Sequence, residues 1–321
     1  MTLNNLGTLF FHKDNYLEAE RFFLQSLEIR KRVAEKKIEN NEECLSDLAL
    51  GLSNLGILYK KKGRFDESER LYIEALKMYR KLTEINPALY ECNIADVQNN
   101  LANMYCCDLN KTKNAEDSHM EALEIRQRLA KRNPETYEPD LAQTQANIGH
   151  LYTHMGNYAE AQKAYKGALE ILYRLAKADP ATYEPDLALT KYKIGGLYFD
   201  THDYKEAEEM FTEALEIERR FVKISPQSYE SHMSFTLLEL GNINEKYGNL
   251  DKAEKMYLEV LEIRKRLANK NPDVYSKDVA AAQGNIGELY LKKKNYPAAD
   301  TAYQSALKIF TSLAKQPQVY I

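Results

Sequence analysis

One residue position recurs along this chain and bounds what it can fold into. A small residue follows an aliphatic one at Gly7, Gly56, Ala102, Gly149, Gly195, Gly241 and Gly287, in steps of 49, 46, 47, 46, 46 and 46 residues. Self-similarity at a fixed period of this size marks a repeat architecture, in which each unit buries its apolar face only against its neighbours. Seven units account for all 321 residues, running approximately 1–40, 41–88, 89–134, 135–180, 181–226, 227–272 and 273–321. A single repeat array therefore replaces the two domains that length alone suggests. The irregular steps have local sources. The 47 comes from an extra residue within Asp108–Asn114, and the 49 from Lys36–Glu43, the linker without proline.

Each unit reads as two helices. In the fourth, Leu141, Ile148, Leu151 and Tyr152 recur at helical spacing between Pro139 and Met155, and Gly156-Asn157 breaks the run. Asn157 with Glu160 has the form of a capping box, repeated by Asp203 with Glu206 and Asn15 with Glu18. The second helix carries Ala161, Tyr165, Ala168, Leu169, Ile171 and Leu175 on one stripe. It stops at Ala178-Asp179-Pro180, because proline lacks an amide hydrogen and disfavours helix in the residue before it. This makes it about 20 residues, roughly 30 Å. Small residues at Gly149, Ala161 and Ala168 allow close approach of helices.

Ile148-Gly149, Tyr152, Tyr158, Ala161, Tyr165 and Ala168-Leu169 together resemble the tetratricopeptide repeat pattern. The usual unit is about 34 residues; this one is some twelve longer. The surplus lengthens the second helix and adds a linker seen in full at Asn133 to Ala142. With Ala122 to Arg126 and Asn99 to Ala102, the long unit is similar to the repeats of kinesin light chains and of bacterial long-repeat proteins attached to signalling or ATPase modules. The resemblance implies an all-α, right-handed α-α superhelical solenoid of seven helix pairs, whose first helices line a concave face. Departures from the pattern are His119 for an aromatic, Asn244 for the first-helix tyrosine and Leu250 for the tyrosine that starts the second helix. They predict looser packing in units three and six.

Two residues before each small anchor stand Asn5, Asn54, Asn100, Asn147, Lys193, Glu239 and Asn285. Asparagine is a poor residue for a helix interior, so its recurrence needs a reason. Its amide both donates and accepts hydrogen bonds. A ladder of such amides suits the backbone of an extended peptide, and related repeats use an Asn there to grip one. The alternative is that these amides bond neighbouring helices. Asn103, His150 and Asn242 lie about one turn on and share the face, while the later units place Tyr192, Lys193, Phe199, Phe235 and Glu239 there. The expected site is therefore Asn5, Asn54, Asn100, Asn103, Asn147, His150, Tyr192, Lys193, Asn242 and Asn285, and the expected partner a protein or peptide segment. A basic cluster that would clamp a free carboxylate is not evident. Two other readings stand beside this one: a regulatory sensor array attached to an enzymatic module, and an oligomer assembled end to end through open solenoid ends. The first residues match the middle of a first helix and the last ones begin a linker, so a fragment of a longer array is expected.

Other chemistry is weaker. Net charge is −4, and Lys60-Lys61-Lys62, Lys292-Lys293-Lys294, Arg30-Lys31-Arg32 and Arg264-Lys265-Arg266 read as solvated faces, with Glu28 and Glu262 as partners of Arg32 and Arg266. No nucleic-acid partner is expected. No run of 18 apolar residues exists and the N-terminus has no signal-peptide pattern, so no membrane partner is expected and a cytoplasmic location is. Four cysteines form no disulfide framework, and Cys106-Cys107 reads as two small helix residues. His150 and His154 share a helix face without the His-Glu-x-x-His pattern, so no metal and no cofactor is expected. No phosphate-binding loop or convergent catalytic set is visible, and the chain reads as non-enzymatic. The 23 tyrosines mostly recur at four repeat positions and read as packing residues whose hydroxyls reach water or backbone, leaving Tyr192 as the one to suspect of function.

Overall fold

Proline opens five of the seven first helices, and one left-handed residue turns the chain within each pair. The computed structural model describes residues 2–36 and 42–315. Among these lie fourteen α-helices and no strand. They pair in order: α1 (Thr2–His12) with α2 (Tyr16–Lys36), α3 (Glu42–Lys61) with α4 (Phe65–Ile85), α5 (Pro87–Cys107) with α6 (Thr112–Arg132), α7 (Pro134–His154) with α8 (Tyr158–Ala178), α9 (Pro180–Asp200) with α10 (Tyr204–Ile224), α11 (Pro226–Lys246) with α12 (Leu250–Lys270), and α13 (Pro272–Lys292) with α14 (Tyr296–Lys315). The fold is the all-α helical-repeat class with seven helix pairs. Most of the Lys36–Glu43 step lies outside the described residues. No described helix is long and apolar enough to cross a membrane.

The contacts divide the chain at Ile171 and Leu172, within α8. In residues 1–171, α1 to α7 each pack on the next, over a core that includes Leu52, Leu55, Leu58, Tyr72, Leu82 and Met104. In residues 172–321, α9 to α14 do the same over Leu237, Tyr257, Val260, Ile263, Ile286 and Leu289, with Phe211, Leu240 and Ile243 in a smaller cluster.

The recurrent glycine has a steric cause. A Cβ at Gly149 would stand 2.7 Å from the Tyr165 ring, and one at Gly195 2.7 Å from the Phe211 ring. The anchor is small because an aromatic ring of the second helix lies flat against it. Unit three departs on both sides of this pair, with Ala102 as anchor and His119 at the ring position. The looser packing expected of units three and six is not what the chain shows: His119 and Asn244 are 1% and 2% exposed. The departure at Asn244 falls on polar satisfaction instead. Its Nδ2 donates to the Leu240 carbonyl at 2.9 Å, while Oδ1 has no hydrogen-bond partner.

Helix boundaries depart from the sequence reading in one respect. The segment read as a linker after Pro134 is helical, so α7 starts at Pro134 and keeps Pro139 inside it; α9 does the same with Pro180 and Pro185. Proline at the first helical position forfeits nothing, because that amide has no intrahelical acceptor. Of the capping boxes, Asn15 behaves as expected, accepting from the Glu18 amide at 3.2 Å. Asp203 does not cap; its carboxylate accepts from the Thr201 hydroxyl at 2.7 Å.

Much of the charge read as solvated faces ties one helix pair to the next. Lys60 pairs with Asp108 at 3.4 Å, and Lys293 with Asp251 at 2.6 Å and Glu254 at 2.5 Å. Arg266 donates to Glu230 at 2.8 Å in place of the expected Glu262. The tyrosine hydroxyls follow suit. Tyr105, Tyr152 and Tyr290 donate to Glu69, Glu116 and Glu254 at 2.7, 3.1 and 2.8 Å, each a glutamate 36 residues earlier on the preceding second helix. They reach carboxylates, where water or backbone was expected.

Candidate functional site

The first helices carry a polar stripe longer than the single position read from the sequence. On α5 it runs Asn93, Asp96, Asn100 and Asn103, and on α7 Asp140, Gln143, Asn147 and His150, both at helical spacing. In residues 1–171 these stripes converge. A cleft of about 300 Å³ is lined by Asn54 and Leu50 of α3, Asn93, Asp96, Asn99 and Asn100 of α5, and Asp140 and Gln143 of α7. Arg126 of α6 reaches into it from the second-helix layer.

Arg126 is 4% exposed and meets three acceptors. Its guanidinium donates to Asp96 Oδ1 at 2.6 Å, to the Asp140 carbonyl at 2.9 Å and to the Thr144 hydroxyl. A buried guanidinium needs this many acceptors, since each unpaired N–H would carry the full cost of desolvation. Burial raises the pKa of Asp140, and Arg126 beside it opposes the rise. The site is thus an amide-rich cleft with an ion-paired floor.

The expected residues divide into several groups. Asn54 and Asn100 line the cleft. Asn54 also donates to Asn4 Oδ1 at 3.1 Å, and Asn147 to Asn99 Oδ1 at 3.2 Å, so both amides bridge neighbouring first helices. Asn5 is exposed on α1, and Asn103 half-buried on α5. His150 lies 4.0 Å from the Cys107 thiol. In residues 172–321, Tyr192 packs against Phe211 with ring centroids 5.5 Å apart, and burial raises its pKa to about 12. Asn242 accepts from the Tyr257 hydroxyl at 2.7 Å and donates to Glu239 at 3.1 Å. Lys193 and Asn285 are half-buried on α9 and α13. Sequence reasoning missed Asn93, Asp96, Asp140, Gln143 and Arg126. For the first four the signal was present, because they continue the Asn stripe back by two turns.

Helix pairs stacked at a fixed period, with polar stripes on their first helices, define a helical-repeat scaffold. The tetratricopeptide repeat family matches residues 1–81, 93–174, 140–220 and 232–312, and the chain belongs to that family. No curated protein matches it by sequence. Among solved structures, the Rap conjugation gene regulator of the plasmid pLS20, in complex with the Phr peptide, is similar at 15% identity and a TM-score of 0.60, over 98% of this chain and 74% of that one. Aspartyl phosphate phosphatase F from Bacillus subtilis is similar at 13% identity and a TM-score of 0.55, over 96% and 92%. The nearly identical repeats of a putative kinesin light chain from Podosopora anserina align at 15% identity and a TM-score of 0.49, over 71% and 100%.

Proposed function

We propose that this protein is a non-catalytic scaffold that holds an extended peptide or partner segment against its first helices. One observation carries the reading: amide side chains from α3, α5 and α7 meet in a single cleft of about 300 Å³. An extended backbone presents alternating donors and acceptors, and Asn and Gln amides answer both at once. The Arg126 charge is already satisfied by Asp96, so the floor positions the amides instead of clamping a carboxylate. The similar Rap regulator is described with a bound peptide, which supports the same use of the fold here. Amides around a paired guanidinium suit hydrogen-bonded recognition, which supports the binding reading.

The test uses a displayed library of random linear peptides selected against the full chain. A selected peptide should lose roughly tenfold or more in affinity for the Asn93→Ala, Asn100→Ala double variant, read by fluorescence anisotropy, with an unchanged melting temperature. These positions are preferred to Asn147, whose amide ties two helices together. Equal affinity for both proteins, or no selection above background, would sink the proposal.

A further inference from the structure

At the end of α5 three soft donors meet that belong to no cleft described above. We infer that Cys106, Cys107 and His150 form a binding site for one thiophilic divalent cation, zinc(II). The two sulfurs and a ring nitrogen of His150 lie within 4.8 Å of one another, with Cys107 Sγ and His150 Nδ1 4.0 Å apart. Tetrahedral zinc with sulfur at about 2.3 Å and nitrogen at about 2.0 Å places its donors roughly 3.5–3.8 Å from each other. The observed spacing is thus within about 1 Å of the bound geometry. Cys107 and His150 are both exposed, so rotation of their side chains can close that gap. Two thiolates and an imidazole are the donor set that zinc prefers, and three protein ligands leave a fourth position open to solvent.

The surroundings suit a cation. Cys106 and Cys107 are the last two residues of α5, whose carbonyl end carries partial negative charge. The nearby Lys60 is held by Asp108 at 3.4 Å, which offsets its charge. His154, one turn beyond His150, is engaged with Asn110 Oδ1 at 3.2 Å and is not counted as a donor.

The repeat itself argues against a packing role for these residues. At the positions equivalent to Cys106 and Cys107 the other units carry Phe11-His12, Lys60-Lys61, Thr153-His154, Phe199-Asp200, Glu245-Lys246 and Leu291-Lys292. At the position of His150 they carry Thr8, Ile57, Asn103, Gly196, Asn242 and Glu288. No other unit carries sulfur at the two cysteine positions or imidazole at the His150 position, yet the three meet at one spot in space.

The experiment is a cobalt(II) titration of the full, reduced, chelator-treated chain, followed by displacement with zinc. About one equivalent should produce thiolate-to-cobalt charge-transfer absorption with the strong visible bands of a tetrahedral site, and zinc should abolish both. Cys107→Ser and His150→Ala should each weaken binding by on the order of 100-fold or more with helical circular dichroism intact. Cys44→Ser and Cys92→Ser should bind as the parent does. Two exposed residues are varied independently, so misfolding of one variant leaves the other to decide. Absence of the charge-transfer band in the parent, or its persistence in both variants, would overturn the assignment.

Discussion

Glu218 shows how much a single residue can differ within a repeated frame. It stands where Arg30, Arg126 and Arg264 stand in other units. Those three guanidiniums donate to the backbone carbonyls of Asp47, Asp140 and Asp278 on the next first helix. Glu218 instead borders a cavity of about 140 Å³ with Asp186 and His232. Its Oε1 accepts from the Thr236 hydroxyl at 3.0 Å, and its buried Oε2 has no hydrogen-bond partner. Burial is the dominant cause of a pKa raised to about 7 from 4.5, and the Thr236 bond opposes it. The sign follows from proton linkage. Between those two values the folded chain keeps a proton that the unfolded chain has released, so stability falls as pH rises through that window. Glu218→Gln, which keeps the neutral shape, should therefore stabilise the protein at pH 8 more than at pH 5, by on the order of 2 kcal/mol. Thermal melts across that range check it; a pH-independent difference would show that Glu218 is ionised in the folded chain.

At the scale of the element, each pair turns through one residue with positive φ. Three are glycines, Gly63, Gly156 and Gly248, at φ 75°, 73° and 76°. The other four are Asp14, Asn110, His202 and Lys294, at 55°, 50°, 66° and 60°. A residue with a Cβ carries a cost of about 1 kcal/mol in this region, less for Asn or Asp. Lys294 is exposed and has no such excuse. Lys294→Gly should raise stability by about 0.5 kcal/mol, after the added unfolded-state entropy is subtracted. Denaturant midpoints would read the gain, and a lower midpoint would mean the lysine side chain does more for the turn than its backbone costs. Helices and turns were largely legible in the sequence, since both follow from local spacing. The starts of α7 and α9 were not, because the same proline that breaks a helix interior is favourable at its first position.

For the whole molecule, ties between neighbouring pairs are in large part ionic. Lys111 with Glu69, Lys293 with Asp251 and Glu254, and Arg80 with Glu121 each join residues of adjacent units. Most are partly exposed, so each contributes at most a few tenths of a kcal/mol, and salt screens them. Because a repeat array is stabilised by nearest-neighbour terms, these small contributions accumulate along it. Raising sodium chloride from 50 mM to about 1 M should lower the melting temperature by about 2–5 °C. An unchanged or higher melting temperature would leave the apolar core as the whole of the coupling.

The amino-acid sequence by itself determined the number of helix pairs, their approximate bounds and the family, because a period of about 46 residues and a small anchor residue recur along the whole chain. The tertiary structure decided what the polar residues do. Asn54 and Asn147 were singled out alike with Asn100, yet their amides reach Asn4 and Asn99 on the preceding first helix. Arg126, read as part of a repeat motif, became the floor of the cleft. His150 came to Cys107 across 43 residues of sequence. Spacing along one helix says which side chains share its face. Which partner each meets across the next helix depends on how large side chains interlock between repeats, and that register is set by packing among residues far apart in the chain.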